Sequence, residues 1–420
     1  MRSFLTIKSV IQNILISHWT IKALMVTLII ITFWTLIKAE PWGDELYFHY
    51  PNAKYFSVDR VINLNSSYSS AYTPLPYAMG YIVLQIEDNI LYLRIFNFLI
   101  FLLLIYFFFK LSLNISNKPL LLTLLLVSNP YLIRSAFTYY MFNYGLLFAI
   151  AGIYFYFFYK SRYNLFISHV LLGLAVLCSQ WMIVIIISLF LSELMKLIKN
   201  EITSLDFIKS STYKTVCIIP SAIIFLYWQG FTHPNFNQHS LYPTFEHLNG
   251  TLANWGFIAF FLLISNFKYL LYSKILLFVV IFLPLLFISI PEHASSHGQE
   301  VITGVAAQIS TQFESIFLIP YQLSMFILII SGLLTLIYII KSDKNNFEFF
   351  ISFILVSLLT IFTASTKLGA SHIYISIPFL ILYFQKKILE NGVISTLVTI
   401  QLYIISIFYI FHHAYLTPKI

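Results

Sequence analysis

The chain has 420 residues, with 24 lysines and arginines against 16 acids, and its formal net charge is +8 at pH 7. Hydrophobic residues make up 59% of it and charged residues only 10%, whereas soluble domains carry roughly 25% charged residues. This shortage of charge excludes an ordinary water-facing surface and favours a surface that faces lipid.

Apolar segments recur along the whole chain, and each is long enough, or nearly so, to cross about 30 Å of hydrocarbon. We therefore predict an all-α fold, with residues 1–420 forming a single transmembrane domain of about 13 helices, in a range of about 11 to 14. The first segment is predicted to be a membrane span rather than a removed signal peptide, because no small-residue cleavage site follows it. The spans are predicted at 21–37, 91–109, 119–133, 140–159, 164–178, 180–195, 215–228, 254–267, 275–290, 317–340, 347–364, 373–385 and 393–411.

The distribution of lysine and arginine predicts the orientation of these spans. If the N-terminus is cytoplasmic, 17 of the 24 basic residues fall on the cytoplasmic side and 7 on the other. The seven external ones are Lys38, Lys54, Arg60, Arg94, Arg134, Lys367 and Lys419. This bias follows the positive-inside rule, and it accounts for the net charge without a nucleic-acid partner. The same orientation places the long loops 38–90, 229–253 and 291–316 outside the cytosol.

The first external loop contains two adjacent acids, Asp44 and Glu45, directly after the first span. Pro41 and Gly43 end that span and let the chain turn. Two helices along the membrane interface are predicted in this loop, at 45–56 and from Thr73 through Gln85. A carboxylate at this boundary can act as a general base toward a sugar hydroxyl. The alternative, which the spacing alone favours, is a hydrated acid pair that caps a helix, because acids are common at helix starts.

Further motifs follow the acidic pair in a fixed order. They are Asp44-Glu45, Phe48-His49 with Pro51, Tyr72-Thr73-Pro74-Leu75-Pro76-Tyr77, Leu93-Arg94-Ile95-Phe96-Asn97, Asn129-Pro130 and Gln180. This set, in about the first 200 residues, resembles the GT-C superfamily of membrane glycosyltransferases that use polyprenyl-phosphate sugars. Within it the pattern is most similar to the dolichyl-phosphate-glucose glucosyltransferases. The chain departs from that pattern at two places. Many family members have an acid before the fourth span, where this chain has Tyr139, Tyr140 and Asn143. The family often has an arginine before the glutamine, where this chain has Ser179.

The resemblance implies an inverting glycosyltransferase whose partners are a polyprenyl-phosphate sugar, a glycan or lipid-linked acceptor, and the bilayer. It implies that Asp44 is the catalytic base and that Glu45 orients it or holds the acceptor. Candidate ligands of the donor phosphate are Arg94, Arg134, Lys367 and His372; candidates for the acceptor or sugar are His49, Tyr72 and Gln180. The alternative for the cations is contact with lipid headgroups. No cofactor is expected, although a divalent metal stays open.

His293 and His297 have the i, i+4 spacing of a helical metal pair, but no third ligand of clear spacing accompanies them. Two other functions remain open. A polysaccharide polymerase is disfavoured because loops 229–253 and 291–316 contain no arginine. A flippase or transporter would show internal repeats and charged residues within spans. The expected location is a bacterial plasma membrane with an undecaprenyl carrier, or the endoplasmic reticulum if the source is eukaryotic.

Overall fold

The computed structural model of the protein describes residues 17–41, 43–64, 66–70, 72–158, 161–235, 245–264, 310–311, 313–315, 317–341, 348–363, 375–382 and 392–411. Within these ranges the regular structure is helical and contains no β-strand, which confirms the all-α prediction. The helices are α1 (His18–Lys38), α2 (Tyr50–Lys54, after a π-helical turn at Glu45–His49), α3 (Val58–Ile62), α4 (Leu75–Leu84), α5 (Ile90–Ile115), α6 (Pro119–Val127), α7 (Pro130–Phe137), α8 (Phe142–Phe158), α9 (Arg162–Cys178), α10 (Ile183–Ile198, after a 3₁₀ turn at Gln180–Met182), α11 (Ser204–Trp228), α12 (Phe245–Ile264), α13 (Tyr321–Lys341), α14 (Glu348–Thr363), α15 (375–382) and α16 (Gly392–Phe411).

Three of the described helices are long and apolar enough to cross a membrane. They are His18–Lys38, Ile90–Ile115 and Gln180–Ile198. All three coincide with predicted spans, and their length and composition indicate association with a membrane. The predicted count of about 13 spans is not confirmed. Of the other predicted spans, 215–228 lies within the 25-residue helix α11, which is not among these three. The remaining ones correspond to shorter apolar helices such as α8, or lie partly or wholly outside the described residues.

The predicted span at 119–133 is wrong as a single helix. Helix α6 ends at Val127 and α7 begins at Pro130, with Ser128 and Asn129 between them. Pro130 has no N–H to continue the helix, and its ring disfavours a helical conformation at the preceding residue. The predicted span is therefore two separate helices, α6 and α7.

The loop after α1 contains short helices in both stretches where interfacial helices were predicted. In the first of them Leu46, Tyr47 and Phe48 are exposed, whereas His49 and Ala53 are buried. The apolar side chains therefore point outward while the polar His49 points inward, an arrangement suited to a helix lying in a membrane interface. Their position at such an interface remains a prediction.

The described helices group into two compact units. One comprises Met1–Ile186, Glu193–Asn237 and Thr399–Ile420, and the other comprises Ile187–Ser192 and Gln238–Val398. Every candidate site residue that the structure describes belongs to the first unit. The prediction of one transmembrane domain over the whole chain is left untested by this grouping.

In the second unit, α12 and α13 approach each other closely at two glycines. A β-carbon on Gly256 would lie 1.9 Å from the carbonyl oxygen of Leu328, and one on Gly332 would lie 1.9 Å from that of Leu252. Only glycine therefore permits this backbone contact, which is typical of helix packing in membranes.

Candidate active site

The acidic pair lies in a tight turn after α1. Gly43 has a left-handed backbone with φ of 56°, which glycine adopts without strain. Its carbonyl oxygen accepts the N–H groups of Leu46 at 3.1 Å and Tyr47 at 3.0 Å. In the π-helical turn that follows, Glu45 is 2% exposed, whereas the adjacent Asp44 is exposed. The two neighbouring carboxylates therefore lie in different surroundings, one accessible and one enclosed.

Glu45 forms a buried ion pair with Arg94, near the start of α5. Nε–H and Nη2–H of Arg94 donate to the two carboxylate oxygens of Glu45, at 2.7 and 2.5 Å. Nη1 of Arg94 donates to the carbonyl oxygens of Leu36 at 3.1 Å and Ala39 at 2.5 Å. The backbone N–H of Tyr139 donates to Oε1 of Glu45 at 2.7 Å. This network joins α1, the first loop, α5 and the segment between α7 and α8.

Asn97 lies one helical turn after Arg94 and holds the same segment. Its Nδ2 donates to the carbonyl oxygens of Ser135 at 2.6 Å and Thr138 at 2.7 Å. Asn143 Nδ2 also donates to the Ser135 carbonyl, at 2.7 Å. The Leu-Arg-x-x-Asn motif thus has a structural meaning here, because its arginine fixes the acidic pair and its asparagine fixes the segment that faces it.

Charged and aromatic side chains surround His49, which is 4% exposed. Its ring meets that of Tyr140 edge-on, with ring centres 5.1 Å apart, and lies 5.8 Å from that of Tyr72. The guanidinium of Arg134 lies 5.7 Å from the centre of the Tyr140 ring. Burial lowers the pKa of His49 to about 4; the charge of Asp44 opposes this shift and that of Arg134 adds to it. We call Asp44, His49, Tyr72, Arg134 and Tyr140 the loop-1 site.

Two tyrosine hydroxyls lie close to His49 and stay protonated at neutral pH. Burial is the largest cause that raises the pKa of Tyr72 and of Tyr77, and the nearby charge of Asp44 acts in the same direction. The hydroxyl of Tyr77 lies 3.0 Å from Nδ1 of His49 and 2.8 Å from Oγ of Ser70. The interior of the loop therefore offers neutral hydrogen-bonding groups beside the accessible carboxylate.

Gln180 lies in the 3₁₀ turn between α9 and α10 and is 1% exposed. The loop is attached to this end of the helices by Thr73, whose hydroxyl donates to the carbonyl oxygen of Val176 at 2.9 Å. The ring of Tyr72 also lies 5.4 Å from that of Phe142, at the start of α8. Gln180 and the loop-1 site are therefore at the same end of the helices.

The candidate phosphate ligands differ in what their donors contact. Four of the five N–H groups of Arg94 point to protein acceptors, namely one on Nε, two on Nη1 and one on Nη2. This favours a positioning role for Arg94. Arg134 is half-buried and belongs to the loop-1 site. Lys367 and His372 lie outside the described residues, so their roles stay predictions.

Sequence reasoning missed part of the site. In the sequence Tyr140 stands only in the place of an acid, and Tyr77 only ends a motif. The main-chain N–H of Tyr139 has no side-chain signature at all, since any residue except proline would supply it.

Within the ranges that the structure describes, no group of three or more His, Cys, Asp or Glu side chains lies close enough together to hold a metal ion. His293 and His297 fall outside those ranges, so the possibility of a metal pair there is untested.

The chain matches no protein-family model, no curated protein and no solved structure at a significant level. An assignment to a family is therefore a proposal, and the sequence motifs and the geometry of the loop-1 site are its support.

Proposed function

We propose that the protein is an inverting glycosyltransferase of the GT-C type. It moves a sugar from polyprenyl phosphate to a hydroxyl group of a glycan or lipid-linked acceptor, on the non-cytoplasmic face of a membrane. The observation that carries this proposal is the accessible carboxylate of Asp44, which shares the loop-1 site with the cation Arg134. Displacement of a phosphate by a hydroxyl requires a base and a cation near the reacting carbon.

In the proposed reaction Asp44 accepts the proton of the acceptor hydroxyl. The hydroxyl oxygen forms a bond to the anomeric carbon while the bond from that carbon to the phosphate oxygen breaks, and polyprenyl phosphate leaves with the electron pair. Attack from the face opposite the leaving group inverts the configuration. Arg134 binds the leaving phosphate, because a guanidinium forms paired hydrogen bonds to phosphate oxygens.

Glu45 and Arg94 are positioning residues in this proposal. The carboxylate of Glu45 has no free space around it, since Arg94 and the backbone N–H of Tyr139 enclose it. Its fixed position determines where Asp44, the preceding residue, presents its carboxylate. It also determines the position of Tyr140, which follows Tyr139 in the chain.

The remaining candidates have binding roles. His49, Tyr72 and Gln180 bind the sugar or the acceptor, and Tyr140 offers an aromatic face beside them. Lys367 and His372 are further candidates for the donor phosphate. No cofactor is part of the proposed step.

The proposed setting is a protein of about 13 membrane spans with its N-terminus in the cytoplasm and the loop-1 site outside. The positive-inside bias supports this orientation. The exposed Leu46, Tyr47 and Phe48 support contact of the first loop with a membrane interface. In a bacterial plasma membrane the carrier is undecaprenyl phosphate; in the endoplasmic reticulum it is dolichyl phosphate.

A donor assay tests the function. The purified protein is incubated with undecaprenyl- and dolichyl-phosphate hexoses and pentoses, with a lipid and glycan extract as acceptor, and the released polyprenyl phosphate is measured. Nucleotide sugars serve as the control donors. We expect release and a new glycoside only with lipid-phosphate donors. Transfer from nucleotide sugars alone, or no transfer from any donor, contradicts the proposal.

One observation favours a second function, that of a transporter. A charged pair is buried between α10 and α11, where Lys214 Nζ lies 2.5 Å from Glu193 Oε2. Ser210 and Tyr156 also donate to Glu193, so the pair is well satisfied, as expected of a group that fixes how helices pack. Movement of a polyprenyl-linked glycan across sealed vesicles without formation of a glycoside would favour the transporter.

A further inference from the structure

We propose that Trp228, His233 and Asn235, at and after the end of α11, are positioning residues for the loop-1 site. We call these three residues the α11 clamp. They hold residues 61–69 of the loop after α1, the stretch that precedes Tyr72 in the chain. The binding role of Tyr72 rests on the proposed glycosyltransferase function, whereas the contacts of the clamp do not.

The course of the chain after α11 is fixed by local hydrogen bonds. Gln229 has a left-handed backbone with φ of 53°, and the N–H of Gly230 donates to the carbonyl oxygen of Phe225 at 3.1 Å. A left-handed residue with a bond of this kind ends a helix and turns the chain away from its axis. The backbone N–H of Asn235 then donates to Nδ1 of His233 at 3.3 Å. The residues after α11 therefore have a defined local structure.

Trp228 supplies a hydrogen-bond donor to the end of α3. Its Nε1–H donates to the carbonyl oxygen of Val61 at 2.7 Å, and the direction of this bond is certain because an indole nitrogen can only donate. Helix α3 has only five residues, so its last carbonyl groups have no partner within the helix. Trp228 is 2% exposed. The bond is therefore shielded from water, and its loss leaves a carbonyl group that is costly to bury.

Asn235 holds the chain that follows α3. Its Nδ2 donates to the carbonyl oxygens of Ser66 and, at 3.3 Å, Tyr68. Both acceptors are carbonyl groups, so the nitrogen of the amide faces them. The hydroxyl of Ser69 donates in return to the carbonyl oxygen of Asn235 at 3.5 Å. These bonds act on the backbone, so the position of this stretch depends on the segment after α11.

Ring contacts extend from the clamp to the loop-1 site. The buried ring of Tyr68 lies 6.2 Å from that of Trp228 and 5.2 Å from that of His233. It also meets the ring of Tyr77 edge-on, with ring centres 6.0 Å apart. The Tyr77 ring in turn lies 6.0 Å from that of His49. Close-packed side chains transmit a displacement to their neighbours, so a shift of the clamp reaches His49 through the two tyrosines.

The reacting groups are held by different bonds, which come from α5. Arg94 binds Glu45, the residue after Asp44. Asn97 binds two carbonyl groups in the segment that follows Arg134. The bonds of the α11 clamp end instead at the end of α3 and in the chain after it. The side of the site that carries the proposed base and phosphate ligand therefore has a different support from the side that precedes the binding residues.

Hydrogen exchange measured by mass spectrometry tests the positioning role without an activity assay. The full-length protein is prepared in lipid nanodiscs, and backbone exchange in residues 61–70 is compared with that in residues 135–140. We expect Trp228→Phe to accelerate exchange in 61–70 by roughly 10-fold, the effect of one lost buried hydrogen bond, and to leave 135–140 unchanged. Asn235→Ala should do the same and serves if Trp228→Phe does not fold. Asn97→Ala should show the reverse pattern.

Trp255→Phe is the matched control. Trp255 is also buried, at 1% exposed, and its Nε1–H donates to Oγ of Ser376 at 2.9 Å, so the substitution removes a comparable bond elsewhere in the chain. We expect it to leave exchange in residues 61–70 unchanged. Equal acceleration of both stretches by the two clamp variants, or no acceleration of 61–70, would overturn the inference.

Transfer kinetics supply the second readout. We expect Trp228→Phe to raise the KM of the donor or of the acceptor roughly 10-fold and to keep kcat within about 3-fold of the wild type, because loss of binding alone leaves the chemical step intact. Asn97→Ala should lower kcat instead. Unchanged KM values for both substrates, or a fall in kcat as large as that of Asn97→Ala, would contradict the role assigned to the clamp. If the wild type transfers no sugar from any donor, the proposed function fails, and the exchange measurements still decide whether the clamp holds the loop.

Discussion

Arg94 binds Glu45 through two parallel hydrogen bonds, at 2.7 and 2.5 Å, with the two side chains 3% and 2% exposed. Such a pair is rigid because both charges lack water and depend on each other. It lies directly beside the accessible carboxylate of Asp44. The loop after α1 therefore contains an acid with a structural partner next to an acid that is accessible.

Removal of the charge on Glu45 tests its structural role. Glu45→Gln keeps the shape of the side chain but leaves the Arg94 guanidinium buried without a counter-charge, so we expect the free energy of unfolding to fall by about 3–5 kcal/mol. Denaturant or thermal unfolding in detergent measures this loss. Glu87→Gln is the matched control, since Glu87 is an exposed acid of the same loop. Equal stability of the two variants would contradict the structural role of Glu45.

Asn97 provides a test of the segment between α7 and α8. Asn97→Ala removes the side-chain donor to the Thr138 carbonyl and one of two donors to the Ser135 carbonyl, which keeps its bond from Asn143, and we expect a loss of roughly 1–3 kcal/mol of stability. Asn114→Ala is the control, because Asn114 lies on the same helix and donates only to the exposed turn at Lys110.

The rate of sugar transfer should also respond to the loss of Asn97, because the segment that Asn97 holds directly follows Arg134 in the chain. We expect Asn97→Ala to reduce sugar transfer more than Asn114→Ala does when both variants are assayed at a temperature where they remain folded. Full transfer by Asn97→Ala would show that Arg134 and Tyr140 are held by other contacts.

The lowered pKa of His49 predicts how the free energy of unfolding depends on pH. Its pKa lies near 4 in the folded protein, below the ordinary value of 6.5. Between these pH values the unfolded chain binds a proton at His49 that the folded protein does not. The contribution of His49 to the free energy of unfolding is therefore fully present above pH 6.5 and decreases as the pH falls toward 4. The loss attributable to this residue is about 3 kcal/mol.

Unfolding measured from pH 7 to pH 4.5 isolates this contribution by comparison of His49→Gln with the wild type. The variant should lose less stability than the wild type over that range, whereas His18→Gln, at an exposed position, should follow the wild type. A wild-type curve parallel to that of His49→Gln would indicate that the ring is solvated.

Several features of the fold were predictable because they depend on local sequence. Long uninterrupted apolar stretches predicted α1 and α5, since a helix satisfies its own backbone in any apolar medium. Pro41 and Gly43 predicted the turn that presents Asp44. The break before Pro130 was less apparent, because only Ser128 and Asn129 interrupt the apolar stretch before it resumes at Leu132 and Ile133.

The pairing within the site was not predictable in the same way. Arg94 was an attractive phosphate ligand when seen as an external arginine at a helix end. Its contact with Glu45 joins residues far apart in sequence and depends on how α1, the loop and α5 pack. The same holds for Tyr140 and for the N–H of Tyr139, which approach the acidic pair only through the tertiary structure.

The central claim is that the accessible carboxylate of Asp44 takes a proton during sugar transfer. The most direct measurement is the rate of transfer from a polyprenyl-phosphate sugar by Asp44→Asn, with Asp59→Asn, another exposed acid of the loop, as the control. We expect Asp44→Asn to remain folded and to lose a factor of about 10² to 10⁴ in rate, while Asp59→Asn keeps the wild-type rate. Transfer by Asp44→Asn at the wild-type rate would contradict the account.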